Sequence, residues 1–429
     1  MFRRLLVLAA ATALFVPLHA ADDPKAAEKV RGLVVKLGAE KEADRNAAEA
    51  ELLKIGAAAL PHLPPSEDKN LTAEQKKRLT AILPKIWQQR VEQDVAGSFV
   101  ELPKGAMPLL DALREIERQT GNVVKDQRED FNEEATNPTL QFDGKKRKFW
   151  EAMDQLCTQA GVSMEHFAGE GAIGLRARPA GAASAASVTA GALRFNPQTI
   201  TLTRNLGMGT AKCTVNILAV FEPRLKPLMV EVDVDSFKIT DDQGREMKFS
   251  SERQQSTYNF QVQEGAHSFE IALDLEAPDR SAKSIKSISG EAALRLPAVT
   301  EQFTFDQWTG AEMQEKTTPS MRVKVGKAKD EGDGIWSFHL TVGMLGEKPE
   351  GESYLSASLD PEIYLVNADG SRLAPNGSKN VAEGEGEVDF EYSIVNAPGK
   401  LSDYKVVTRI PSGLTKAPIK FELKNLPLP

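Results

Sequence analysis

A chain of 429 residues is too long for one ordinary domain, and its 41% hydrophobic and 27% charged residues place it among soluble globular proteins. A net charge of −8 argues against nucleic acid, since a polyanion needs a basic face and none is obvious here. The same balance argues against a polybasic membrane-surface role.

Residues 1–21 read as a secretory signal peptide. Arg3 and Arg4 form a charged start, Leu5 to Val16 an apolar run, and Pro17 breaks it before the small residues at Ala20 and Ala21. The run of 12 residues is short of the ~20 that span a bilayer. A periplasmic or secreted protein is therefore expected. That compartment permits disulfides. Only Cys157 and Cys213 exist. Both fall on apolar positions of different predicted domains, and two buried single thiols are preferred to a bridge.

Residues 22–96 read as helical. Ala26–Leu37 and Glu42–Ile55 are amphipathic, and Gly56 ends the second. A short segment follows at Ala57–Leu63. Thr72 and Gln75 fit a capping box that opens a long helix, kinked or split at Pro84. Asp44 to Ala48 and Leu52 to Leu63 resemble one HEAT repeat. With no clear second copy, a helical bundle of HEAT-like character is expected.

Residues 97–178 carry one unit written twice. Leu109 to Gly121 is echoed by Phe149 to Gly161, with apolar residues at i, i+1, i+4 and i+7 and a closing glycine for the left-handed C′ position. With strands at Ser98–Leu102, Asn122–Val124, Thr139–Phe142 and Val162–Phe167, and a hairpin to Arg178, the order is β-α-β-β-α-β-β. Pro108 is expected at the first helical position. Val100–Leu102, Leu109–Gly121, Leu140–Phe142 and Phe149–Val162 resemble the short N-terminal domain of secretins and TonB-dependent receptors. That resemblance implies an adaptor that engages envelope partners. No outer-membrane barrel follows, so pore and receptor functions do not carry over.

Residues 179–192 are a low-complexity linker that would leave the module free to move against the β region after it. From Leu193 the chain reads as short strands at sandwich spacing. One β-sandwich is expected over 193–308 and, after a polar linker at 309–320, another over 321–429. The hairpin Phe237–Glu246 parallels Ile363–Arg372, which raises a duplication of the two sandwiches. The ending Ile419–Pro429 resembles the terminus of multidomain secreted bacterial proteins of unknown function, which implies an architecture and no activity. The fold class is thus multidomain α+β, with an N-terminal helical bundle, a small α+β module and two C-terminal antiparallel β-sandwiches.

Chemistry-bearing motifs are few. Gly169 to Gly174 matches G-x-G-x-x-G, but a strand and not a helix follows, so the glycines read as turn residues. His62, His166, His267 and His339 are scattered, with no metal-ligand spacing. Glu231, Asp233 and Asp235 alternate on one strand face and could hold Ca²⁺, although a solvated face is preferred. Trp308 falls by alternation opposite Phe303 and Phe305. It would either be exposed for a sugar or partner, or cover the junction of the β domains, which is preferred. Lys145–Lys148 reads as a solvated turn. No catalytic, cofactor or metal residue is assigned. A non-catalytic scaffold or adaptor binding an envelope protein or glycan is favoured. A carbohydrate-binding protein acting through the sandwiches comes second, and an envelope hydrolase third.

Overall fold

The computed structural model describes residues 24–64, 68–166, 171–179, 187–250, 256–263, 265–309, 313–318, 320–345, 361–384 and 386–429. The expected signal peptide and residues 346–360 of the second expected sandwich lie outside them. The fold is mixed, with 24% helix and 48% strand in several antiparallel sheets. The chain divides into two compact units, residues 1–64 and 65–429.

The first unit holds α1 (Pro24–Lys36), α2 (Glu42–Ile55) and a 3₁₀ turn (Gly56–His62). Val30, Leu33, Val34 and Leu37 are buried, as are Ala48, Leu52 and Ala59. Gly56 ends α2 at φ 63°, donating to the Leu52 carbonyl. Arg45 bonds the Ala39 and Glu40 carbonyls at 2.8 Å each, which fixes the turn before α2.

In the second unit, α3 (Ala73–Val95) starts on the expected capping box. Gln75 N–H donates to Thr72 Oγ1, and Thr72 N–H to Gln75 Oε1. Pro84 does not split it. The sequence groups α3 with the first two helices, yet its Val91 is buried in a β core and Trp87 packs against it.

The module contains β1 (Phe99–Glu101), β2 (Gly105–Pro108), α4 (Leu109–Thr120), β3 (Val124–Asp126), β4 (Thr139–Phe142), β5 (Lys146–Lys148), α5 (Phe149–Ala160), β6 (Val162–Glu165) and β7 (Ile173–Ala177). Pro108 is the cap before α4, one residue earlier than expected, and two short strands precede the helices. The twofold writing of the sequence is visible in the contacts. β1 pairs with β5, and β4 with β2. Gln119 bonds both backbone groups of Glu101, and Gln159 both of Gln141. Leu109 N–H donates to Pro138, and Phe149 N–H to Ser98, at 3.0 Å each. Gly121 and Gly161 take the left-handed C′ conformation at φ 73° and 69°. β7 joins the module's third sheet, parallel to β3 and antiparallel to β6.

The remaining strands are β8 (Val188–Ala190), β9 (Leu193–Asn205), β10 (Thr210–Phe221), β11 (Met229–Asp241), β12 (Thr257–Gln261), β13 (Ser268–Glu276) and β14 (Ser284–Phe305). They are followed by β15 (Gln314–Thr317), β16 (Met321–Val325), β17 (Lys329–Gly332), β18 (Ile335–Met344), β19 (Glu362–Asn367), β20 (Arg372–Leu373), β21 (Gly377–Gly384), β22 (Glu387–Val395) and β23 (Tyr404–Pro427). One sheet runs β13-β10-β9-β8, one β12-β11-β14-β23-β19-β20, and one β15-β16-β18-β22-β21 with β17 on β18.

The long strands β14 and β23 pair from Ser284↔Pro427 to Phe305↔Val406 and serve two cores. Ile285 to Ala298 and Ala417 to Leu426 pack with β9, β10, β11 and β13. Phe303, Phe305, Val406 and Ile410 pack with β16, β18 and β22. The boundaries expected at 308 and 321 therefore cut across this ladder, and the chain's last strand completes the first core. Gly413 marks the crossing. Its φ is 64°, and a Cβ there would meet the Trp87 indole at 2.8 Å, so α3 closes over the point where one core gives way to the other.

The two hairpins read as possible duplicates share one turn. Asp241 N–H donates to Arg245 and Gly244 N–H to Asp241, as Asn367 does to Ser371 and Gly370 to Asn367. Gly244 and Gly370 hold φ 82° and 84°.

Candidate functional site

A buried polar cluster lies where the module meets the first β core. Phe221 ends β10 inside that core, and the next side chain, Glu222, is buried at 1% exposure. A carboxylate there needs partners for every lone pair. Ser98 supplies its backbone N–H at 2.8 Å and its hydroxyl at 2.7 Å. Asn122, itself fully buried, donates at 3.2 Å, and Arg224 Nε at 2.7 Å. Arg224 then donates from its backbone to Asn122 Oδ1 and from its guanidinium to the Asp94 carbonyl. One carboxylate thus ties α3, both ends of the first module copy, and β10.

Further contacts close the same boundary. Trp150 Nε1 donates to the Ala192 carbonyl at 3.1 Å, and Arg194 pairs with Asp154 at 2.6 Å. Val220 of β10 belongs to the module's own core. Gly191 sits so close to α3 that a Cβ would lie 2.1 Å from the Val95 carbonyl oxygen. The freedom expected from the 179–192 linker is not what the contacts provide: Val188–Ala190 pairs in the sheet as β8, and the module is fixed on it. Residues 180–186 of that linker lie outside the described ones.

Two histidines flank this boundary. His267 is 2% exposed, and among the described residues only the Gly265 backbone comes close enough to act on its ring, without a well-formed hydrogen bond. Burial holds its pKa below the usual histidine value, and the nearby Gly265 carbonyl offsets only part of that. His166 is pushed down to about 4 by burial, by His267 and by Arg194. Gly171 N–H bonds the Gly265 carbonyl beside them at 3.0 Å.

Of the residues singled out by sequence, Glu231 is buried and held by Arg295 and Lys416, the latter an ion pair at 2.5 Å. Asp233 and Asp235 are exposed, and Asp233 Oδ1 accepts from Asp235 N–H, so the row does not act as one ligand set. Among the described residues no group of three or more His, Cys, Asp or Glu could hold a metal. Cys157 and Cys213 are free and buried, with burial pushing their thiols up to about 12 and about 11. Gly171 to Gly174 leads into β7, a strand, which leaves no helix N-terminus for a pyrophosphate. Lys146 lies over the Phe99 ring at 4.9 Å, and Arg147 pairs with Asp143. His339 Nδ1 meets Asp389 at 2.9 Å on the outer side of β18.

Trp308 is not exposed. It is 1% accessible, donates to the Tyr404 carbonyl at 2.9 Å and meets Phe338 edge-on. Gln307 holds φ 55°, and this left-handed step breaks the alternation and turns the indole inward. A shallow depression beside α4 is lined by Lys104, Glu115, Arg118 and Gln119, with Glu115 held down to about 2 by Arg118 and Gln119. Among the described residues no helix is long and apolar enough to cross a membrane. No family model, curated protein or solved structure matches the chain.

The Glu222 cluster was not legible in the sequence. Its members come from four separate segments, and the one local signal, Glu222-Pro-Arg224 after an apolar strand, has the appearance of an ordinary strand end.

Proposed function

We propose that the chain is an exported, non-catalytic scaffold that binds other envelope macromolecules, with a module of the secretin and TonB short N-terminal kind on a stem of two β-sandwiches and a HEAT-like helical region before it. The observation that supports this most is the Glu222 cluster. It holds the module rigidly on the β cores, which suits a surface that must be presented in one orientation rather than a site that closes around a substrate. The bond from Tyr404 Oη to the Pro398 carbonyl at 2.6 Å has the form of a tyrosine corner and supports the sandwich reading of the second core. The module's outer side offers Phe99 and Phe131, each 49% exposed, with Lys146 and Arg176 over their rings. A rigid aromatic beside a cation is a common anchor for protein partners.

The test is a tagged pull-down from the envelope fraction, comparing the natural chain with Phe99→Ser and Phe131→Ser together. The scaffold reading expects a protein that co-purifies with the natural chain and is lost with the double variant. Retention of cell-wall glycan with no protein would overturn it in favour of a carbohydrate-binding role for the β cores.

A further inference from the structure

Among the described residues, the outer edge of β9 is unpaired over most of its length. Within its sheet β8 covers only Leu193–Phe195, through the pairs Val188↔Phe195 to Ala190↔Leu193. From Asn196 to Asn205 the strand is paired with β10 on one side and, among the described residues, with nothing on the other. Residues 201–212, the end of β9 and its return, are all exposed. Natural sheets usually blunt such an edge with charge, proline or a bulge. Here Pro197 and a register shift at Asn216/Ile217 guard only its start, and Arg204 only its end. The middle, Thr199-Ile200-Thr201-Leu202-Thr203, is a β-forming stretch with no charge.

We propose that this edge pairs with the same edge of a second copy of the chain, antiparallel and centred on Thr201. The sequence is self-complementary about that residue. A two-fold axis there sets Thr199 opposite Thr203, Ile200 opposite Leu202, and the only charge, Arg204, opposite the neutral Gln198. Like faces meet like faces because the side-chain period is two. The Thr–Thr and Ile–Leu pairs are favourable cross-strand neighbours, and no like charges oppose one another. Leu202, 42% exposed in the single chain, is covered in the pair. The absence of any carboxylate from Thr199 to Lys212, in a chain of net charge −8, removes the repulsion that would otherwise hold two copies apart. The pairing is independent of which macromolecule the scaffold binds, so the pull-down and the test below fail separately.

The test is sedimentation equilibrium of the purified protein across a concentration series. The weight-average mass should rise from one chain toward two between about 1 µM and about 200 µM. T201K sets two ammonium groups face to face on the axis at an exposed position, and should weaken the association at least about tenfold while leaving the far-ultraviolet circular dichroism unchanged. T201C should form an intermolecular disulfide under mild oxidation much faster than T210C at the hairpin end, the two native thiols being buried. A single-chain mass throughout the series, T201K indistinguishable from the natural chain, or equal cross-linking of T201C and T210C would each overturn the proposal.

Discussion

Glu222→Ala should lower the stability of the second unit by about 3–5 kcal/mol, the range found when one partner of a buried, hydrogen-bonded charge pair is removed. The size reflects the groups left behind. Arg224, 18% exposed at its side chain, loses its 2.7 Å partner, and the Ser98 N–H and hydroxyl and the Asn122 amide lose an acceptor together. Unpaired donors of this kind each cost on the order of 1–3 kcal/mol when buried, and they do not add fully within one cluster. Replacing the pair rather than breaking it gives the contrast. Glu222→Leu with Arg224→Met should recover a large part of the loss, because a buried ion pair is often replaceable by packed apolar groups. Urea denaturation of the single and double variants measures both effects. A loss below about 1 kcal/mol for Glu222→Ala would mean that the cluster is incidental to the docking.

Acid should loosen the same boundary, and the two histidines set the sign. In the unfolded chain each takes up a proton near 6.5, whereas His166 in the folded chain does so only near about 4, and His267 is also held below its usual value. Between those limits the unfolded state binds more protons, so stability is full above about pH 6.5 and falls as the pH drops toward about 4. The slope is about 1.4 kcal/mol per pH unit for each histidine, which for His166 amounts to roughly 3 kcal/mol over its window. The charges facing the pair are already contained in that shift, together with burial. Arg194 is close enough to lower His166, and each imidazole repels the other once charged, while Asp154 is already engaged by Arg194. A second and separate loss belongs to carboxylates such as Glu115 and Asp279, both held at about 2 by their partners. They contribute above their ordinary values of 4.5 and 3.8, and that contribution is lost only at lower pH. Urea midpoints at pH 7.5, 6.0, 5.0 and 4.5 should therefore decline steadily, and His267→Leu should flatten the upper part of the decline. A natural chain with equal midpoints from pH 7.5 to 5.0 would contradict the assignment.

Local signals in the sequence located helices well, because each depends on neighbours a few residues away. The bounds of α2 come from its apolar spacing and Gly56, and the start of α3 from Thr72 and Gln75. The repeat from Leu109 to Gly161 is legible for the same reason, down to the two glycines. What was lost is non-local. The prolines at 297, 411 and 418 suggest strand breaks, yet they lie within β14 and β23. Pro297 falls past Arg295, the last β11 partner, and Pro411 and Pro418 past Arg409, the last β19 partner. Each therefore sits where, among the described residues, the strand is paired along one edge only. Only the three-dimensional ladder reveals that, and with it the sharing of one sheet by two cores. Trp308 was turned by a single φ at Gln307, which no periodicity encodes. The low-complexity linker suggested freedom, but docking is decided by Glu222, Trp150 and Arg194 on either side of it.

A module fixed on the β cores should open only together with them. Native-state hydrogen exchange tests it most directly. The most protected amides of α4 and α5 should open with the same free energy as those of β14 and β23, and with the same denaturant dependence, because the module cannot leave without breaking the Glu222 cluster. Module amides that exchange through a smaller opening, while β14 and β23 remain protected, would show a tethered domain rather than a fixed one.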